Sequence, residues 1–146
     1  MEIERKFLVK KLPEDLESYP CRHLEQGYLS TGPVVRVRKD NDKYELTYKA
    51  KGMMVREEYN LPLTAKSYEH LKQKADGRII VKKRYMIPYE NYTIELDLFQ
   101  NDLAPLVLAE VEFPTEEAAN NFTPPEWFGE DVTFSKFYHN STLSQI

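Results

Sequence analysis

Two acids and a base alternate near the start of the chain: Glu2, Glu4 and Lys6, with Ile3, Arg5 and Phe7 between and after them. The same spacing returns later with one sign at a time. Arg36 and Arg38 form a basic pair, as do Lys82 and Arg84; Glu95 and Asp97 form an acidic pair, as do Glu110 and Glu112. Lys49 shares its parity with Thr47 and Glu45, and Glu58 shares its parity with Arg56 and Asn60. Like charges two residues apart repel, and a surface selected for solubility alone would mix the signs. Paired blocks make sense where a partner of opposite charge binds. Basic pairs suit phosphate oxygens, to which arginine offers a two-pronged donor. Acidic pairs suit a hard divalent cation such as Mg²⁺ or Mn²⁺, which prefers carboxylate oxygens. A phosphate chain carried with a metal would use both sets.

These residues need strands to share a face. Side chains two apart on a strand point the same way, about 6.6 Å apart. Eight segments alternate in this way: Glu2–Val9, Arg22–Ser30, Val34–Lys39, Lys43–Lys49, Val55–Leu61, Ile79–Tyr89, Tyr92–Phe99 and Leu106–Phe113. Many are rich in Val, Ile, Tyr and Phe, as strands favour. Thr31-Gly32-Pro33, Asp40-Asn41-Asp42, Lys51-Gly52 and Glu90-Asn91 read as short turns, which join antiparallel neighbours. Helical patterning is sparser. Thr64 can cap a helix over Ala65–Ala75, and Thr115 one over Glu116–Phe122, whose first-turn acids suit the helix dipole. Shorter helices are expected over Pro13–Tyr19 and in the tail, Ser135–Gln145.

The expected class is mainly β (α+β): a closed eight-stranded antiparallel barrel with a few peripheral helices. A sheet whose charged face merely meets water has the same period, so alternation does not tell inside from outside. With the charged face inward, the barrel encloses a polar tunnel. Burying that many charges is costly unless the tunnel holds water or a ligand.

The bulk properties narrow the choice. At 146 residues the chain reads as one domain over residues 1–146, large enough for a sizeable core. A net charge of −4 gives no sign of the basic excess that nucleic-acid binding leaves. No apolar run is long enough for a membrane span, and acids at positions 2 and 4 argue against an apolar leader. The lone cysteine, Cys21, allows no internal disulfide and fits a reducing, cytoplasmic setting as a spectator thiol. His23, His70 and His139 have no second ligand at metal spacing, which argues against zinc. No glycine-rich phosphate loop is present.

The ordered set of charged strands resembles a known family. Glu2-Ile3-Glu4-Arg5-Lys6 is similar to the Glu-x-Glu-x-Lys signature that opens the CYTH superfamily, the triphosphate tunnel metalloenzymes. Arg36-Val37-Arg38 resembles its Arg-x-Arg strand, Tyr48-Lys49-Ala50-Lys51 its lysine strand, and Arg56-Glu57-Glu58 the next acidic strand. Lys82-Lys83-Arg84 resembles its Lys-x-Arg strand; Ile94-Glu95-Leu96-Asp97 and Glu110-Val111-Glu112 resemble its late acidic strands. Ser135-Lys136-Phe137-Tyr138-His139-Asn140 looks like the closing Asp-Lys-Arg-Tyr-x-Asn motif, with Ser135 and Phe137 as departures. The likeness runs through the whole chain in order and is closest to the short bacterial members.

The resemblance implies a tunnel that binds triphosphate with Mg²⁺ or Mn²⁺, two ions in all. It implies Lys6, Arg36, Arg38, Lys49, Lys82 and Arg84 along the substrate path, with Lys136 as a seventh cation. Glu2, Glu4, Glu58, Glu110 and Glu112 are the implied metal ligands, with Glu95 and Asp97 next. Lys6, Arg38, Lys49 and Glu4 form the implied catalytic set, and no carboxylate is singled out as general base. The expected activity is hydrolysis of inorganic triphosphate, a small-molecule substrate, with neither nucleic acid nor membrane as partner; the oligomeric state stays open. The alternatives are a class IV adenylate cyclase and a nucleotide or thiamine triphosphatase. A rival of another kind is a non-catalytic binder of polyphosphate or organic triphosphates, which needs the basic pairs but not the acids.

Overall fold

A computed structural model describes residues 1–146. Its first nine strands fall where the alternation lies. They are β1 (Glu2–Val9), β2 (Cys21–Thr31), β3 (Val34–Asp40), β4 (Lys43–Lys49), β5 (Val55–Arg56), β6 (Glu58–Pro62), β7 (Asp76–Tyr89), β8 (Tyr92–Phe99) and β9 (Val107–Glu112). A tenth, β10 (Phe128–Asp131), is too short to show a period in the sequence. Every pairing is antiparallel, in the order β10-β1-β9-β8-β7-β2-β3-β4-β6.

The ring closes through residues 55–62. There β6 pairs with β4, Lys49 opposite Glu58, while β5 pairs with β1, Arg56 opposite Glu2. The strand expected over Val55–Leu61 is thus two half-strands with different partners. Glu57 lies between them, and its carbonyl accepts the Ala50 N–H at 3.0 Å. Counted as one interrupted strand, this segment makes eight strands around the interior, with β10 added outside β1.

Helices are short and peripheral: α1 (Ala65–Lys72), α2 (Glu116–Asn120) and α3 (Asn140–Leu143). Thr64 Oγ1 accepts the Ser67 N–H at 3.1 Å while Ser67 Oγ accepts the Thr64 N–H at 2.9 Å, a reciprocal cap that starts α1. Thr115 Oγ1 accepts the Ala118 N–H at 3.0 Å and starts α2. Two expected helices shrink. Pro13–Tyr19 holds only a 3₁₀ turn at Leu16–Ser18, and the tail divides into a 3₁₀ turn at Lys136–Tyr138 followed by α3.

The main apolar core lies on the outer face of the sheet. Phe7, Ile94, Leu96, Ala109 and Val111 pack beneath Ala119 and Phe122. Each of the larger side chains among them contributes about 1.5–3 kcal/mol when fully buried. Arg5 shares this outer face. It donates to the Ala119 carbonyl at 2.8 Å, pairs with Asp131 at 2.9 Å and lies 4.9 Å from the Phe7 ring centroid, so it ties α2 and β10 to β1.

The inner face is not polar throughout. Tyr28, Val34, Ile80, Phe99 and Leu108 form a second cluster with Val132 and Leu143. Tyr28 stands opposite Arg36 and Phe99 opposite Lys82, so these apolar residues share the parity of the charged ones. The tail packs on this end: Lys6 Nζ donates to the Tyr138 carbonyl at 3.2 Å. Gly77, at φ +68°, comes so close to it that a Cβ would stand 2.1 Å from the Ser144 oxygen.

Candidate active site

Inside the ring lies a cavity of about 170 Å³, and only two of its 21 lining residues are hydrophobic. Strand register builds it. Lys6 stands opposite Glu110 and Glu4 opposite Glu112 across β1–β9, and Glu95 stands opposite Glu110 across β8–β9. Arg38 stands opposite Gln26 across β2–β3, and Arg84 opposite Arg22 across β2–β7. Acids therefore gather on β1, β8 and β9, and cations on β2, β3 and β7.

The two basic pairs differ in their partners. Arg36 donates from Nη2 to Thr47 Oγ1 at 3.1 Å, and its buried Nε has no acceptor. Arg38 donates from Nε to Gln26 Oε1 at 2.8 Å. Both partners are neutral. Burial first, then the Arg36 and Arg84 charges, push the Arg38 pKa down to about 10, still a cation at neutral pH. By contrast, Arg84 grips Asp97 through Nε and Nη2 at 2.7 and 2.9 Å and reaches Glu95 at 3.3 Å. Lys82 lies 2.7 Å from Asp97 and donates to Asn140 Oδ1 at 2.8 Å.

Burial lowers the Lys82 pKa to about 7 against the pull of Asp97. Burial alone would raise Asp97, but Arg84 and Lys82 carry it below its ordinary value. The two shifts agree physically, because Arg84 already gives Asp97 a two-pronged counter-ion. Lys82 is left as the less compensated member.

The acids divide in the same way. Glu2, Glu4 and Glu112 bring carboxylate oxygens within 4.8 Å of one another, and so do Glu4, Glu95 and Glu110. Glu4 belongs to both trios. Burial, then Glu110 and Glu2, hold its pKa well above the ordinary carboxylate value. Glu112, at one mouth of the cavity, is pushed up to about 7 by desolvation and by Glu95, Glu2 and Glu58. Burial raises Glu95 against the pull of Arg84. Burial would raise Glu110 too, but Lys6 and Arg84, each 3.8 Å away, carry it well below. Glu58, opposite Lys49 at 3.3 Å, is lowered despite desolvation. Lys49 also donates to both Glu2 oxygens, at 3.2 and 3.1 Å. Two adjoining trios of hard oxygen donors, with Glu4 and Glu112 short of positive charge, fit a divalent cation.

Twelve of the sequence-expected residues line this one cavity: Glu2, Glu4, Lys6, Arg36, Arg38, Lys49, Glu58, Lys82, Arg84, Glu95, Glu110 and Glu112. Two do not. Asp97 is fully buried between Arg84 and Lys82, outside both trios, and serves as an ion-pair partner. Lys136 is exposed and lines a neighbouring recess with Lys51. The tail breaks at His139, which is extended (φ −70°, ψ 136°). That break brings His139 and Asn140 to the cavity and leaves Lys136 outside.

Two residues escaped the sequence reading: Arg56 on the cavity wall and Gln26 just behind it. Gln26 is fully buried; its Nε2 donates to Tyr28 Oη at 3.2 Å and to Asn140 Oδ1 at 3.3 Å. With its Oε1 held by Arg38, the amide links Arg38 to the Asn140 that Lys82 also holds. The signal was the parity of Arg22, Gln26 and Tyr28 on β2, masked by Leu24 between them. Arg56 shared the parity of Glu58; it lies 3.5 Å from Glu2, and its Nε makes no hydrogen bond. His139 is held down to about 4 by burial and by Lys6 and Arg56, so it lines the cavity as a neutral imidazole.

The comparisons with known proteins agree with this geometry. A family model described as the CYTH domain matches residues 1–146. An inorganic triphosphatase of Nitrosomonas europaea is 42% identical over 149 residues, covering 98% of this chain and 96% of that protein. An inorganic triphosphatase of Acetivibrio thermocellus is 36% identical over 148 residues, covering 97% and 92%. The crystal structure of the inorganic triphosphatase NE1496 matches with a TM-score of 0.74 at 38% identity, covering 100% of this chain and 95% of that one.

Proposed function

Because the chain belongs to the CYTH domain family, we propose that it hydrolyses inorganic triphosphate to diphosphate and phosphate. One observation carries the reading furthest. Arg36 and Arg38 stand in the cavity without a carboxylate partner, beside two carboxylate trios whose members Glu4 and Glu112 lack a cation of their own. A phosphate chain with its metal ions supplies both missing charges. The names of the two relatives support inorganic triphosphate as the substrate.

Lys6, Arg36, Arg38, Lys49 and Arg84 would hold the phosphate oxygens, with the arginines in two-pronged contact. Their positions are fixed before substrate arrives, which favours the charge that develops on the transferring phosphoryl group. The trios Glu2/Glu4/Glu112 and Glu4/Glu95/Glu110 would hold two ions, Mg²⁺ or Mn²⁺, which when bound neutralise phosphate charge and acidify water. Lys82, with Nζ 2.7 Å from Asp97 and donating to Asn140, would hold that wall of the cavity, and the attacking water gives its proton to solvent. The oxygen of that water bonds to the terminal phosphorus, the bridging P–O bond breaks, and diphosphate leaves with the electron pair. Asp97 keeps Arg84 and Lys82 in place and touches no substrate. Cys21, the one cysteine, supports a cytoplasmic setting.

The cavity wall offers only Tyr28 and Val34 as hydrophobic surface, little for an adenine or thiamine ring. The deciding experiment incubates the protein with inorganic triphosphate, ATP and thiamine triphosphate, each with Mg²⁺ or Mn²⁺, and identifies the products. Diphosphate and phosphate from triphosphate are expected. Cyclic AMP from ATP would sink the hydrolase reading. Tight triphosphate binding without turnover of any substrate would leave a binder instead.

A further inference from the structure

Beside the cavity lies a second recess of about 470 Å³, where the β2–β3 turn, the loop after β4 and the tail meet. The two spaces adjoin, since Lys49, Arg56 and His139 line both. The recess has four cations on its walls, Lys49, Lys51, Arg56 and Lys136, and no acid. The active-site cavity, by contrast, mixes both signs. Lys49 and Arg56 are already shared with Glu2, at 3.1 and 3.5 Å, although Arg56 Nε still lacks a hydrogen-bond acceptor. Lys51 and Lys136 are exposed. They come from distant parts of the chain yet converge on one recess. The turn that presents Lys51 requires glycine next to it: Gly52 has φ +143°, and a Cβ there would stand 2.2 Å from the Val55 oxygen.

We propose that this recess is a second phosphoryl-binding subsite, which takes an oxyanion beyond the phosphates held in the cavity. The inference rests on the triphosphatase reading, which fills the adjoining cavity with a phosphate chain. Lys49 and Arg56 spend their charge on Glu2 and Glu58, but Lys51 and Lys136 make no ion pair, and an anion entering the recess would give them one. Lysine ammonium groups serve phosphate as point charges and need no fixed fork geometry. Such an oxyanion has two sources: the fourth phosphate of a linear chain, or a free diphosphate.

The test is calorimetric titration of the full chain without metal. Linear tetraphosphate is expected to bind about tenfold more tightly than triphosphate, the combined effect of two exposed charge contacts. Lys51→Glu should bring that ratio to about one, and Lys136→Ala should bring it part of the way. Circular dichroism checks that both variants fold. In a second arm, diphosphate is titrated into protein saturated with triphosphate. A second binding event that Lys51→Glu abolishes would identify free diphosphate as the occupant. The subsite is overturned if the parent shows neither the tetraphosphate gain nor the second event, or if Lys51→Glu leaves both intact. A parent that binds no triphosphate here and does not hydrolyse it with Mg²⁺ or Mn²⁺ would sink the triphosphatase reading and the subsite with it.

Discussion

Arg36 and Arg38 on β3 and Lys82 and Arg84 on β7 have the same spacing, and both pairs point into the same cavity. The fold treats them oppositely. The β7 pair is neutralised from within, by Asp97 at 2.7 Å from each side chain and by Glu95. The β3 pair is held only by Thr47 and Gln26, which orient it without neutralising it. An uncompensated buried charge costs stability. Where a fold keeps one, the missing charge is expected from outside. The acids repeat the contrast: Glu110 has Lys6 and Arg84, while Glu4 sits among other acids. Spacing thus identifies the charged face, and pairing separates the cations whose charge the fold already balances from Arg36 and Arg38, which await a ligand's charge.

The widest gap between the two classes should appear in a pair of variants. Arg38→Ala should lower kcat/KM for triphosphate by about 10³-fold, in the range found when one preorganised charge donor is removed. Its urea midpoint should hold or rise, since Arg36 and Arg84 lose a like-charged neighbour. Asp97→Asn should do the reverse in kind, costing about 3–5 kcal/mol of unfolding free energy in urea because Lys82 and Arg84 lose their buried counter-ion. If Arg38→Ala unfolds the protein and Asp97→Asn does not, the division is wrong.

The acids give a smaller, sharper version. Glu4→Gln should lower metal-dependent turnover by about 100-fold. The same change should raise the metal-free melting temperature, because it removes a carboxylate that burial and two neighbouring acids disfavour. Glu110→Gln should instead lower that temperature, since Lys6 and Arg84 lose an acid 3.8 Å away. Calorimetry of the metal-free proteins checks both. Equal shifts of one sign would erase the distinction between the two acids.

Much of this was legible in the sequence, because a period of two survives any curvature of the sheet. Glu2, Glu4, Lys6, Arg36, Arg38, Glu110 and Glu112 were placed on one face by parity, and their family resemblance turned that face inward. Pairing was not legible. Asp97 and Glu95 look alike on β8, yet only Asp97 meets Lys82 and both prongs of Arg84. That depends on cross-strand register and not on local pattern. Lys136, carried over from the closing motif, lines the neighbouring recess and not the cavity. One continuous helix was expected over the tail, and the extended backbone at His139 breaks it. Gln26 stayed hidden because a neutral amide among apolar neighbours carries no charge signal, although it holds Arg38 at 2.8 Å.

The gentlest test of the contrast uses pH on the metal-free protein. Glu112 is raised from its ordinary value of 4.5 to about 7, and Glu4 is raised as well. Between those limits the unfolded chain releases the Glu112 proton while the folded protein keeps it. Stability present below about pH 4.5 is therefore lost as pH rises to about 7. Lys82, lowered from 10.5 to about 7, acts in the other window: above pH 7 the unfolded chain holds a proton that the folded protein has released, so stability rises again. The Glu112 and Lys82 contributions together are thus smallest near pH 7, while His139, held down to about 4, contributes the opposite slope between there and its ordinary 6.5. Glu112 is exposed at the cavity mouth, so solvent screening holds its share of the acid-side fall to about 1 kcal/mol, roughly 3 °C in Tm. Glu112→Gln should shrink that fall by its own share and leave the rise above pH 7 in place. Mg²⁺ or Mn²⁺ should remove the Glu112 share of that fall by stabilising the ionised carboxylates. A Glu112→Gln profile that parallels the parent's between pH 4.5 and 7, or a parent profile that metal leaves untouched, would mean that the two trios are already neutralised within the fold, as Asp97 is.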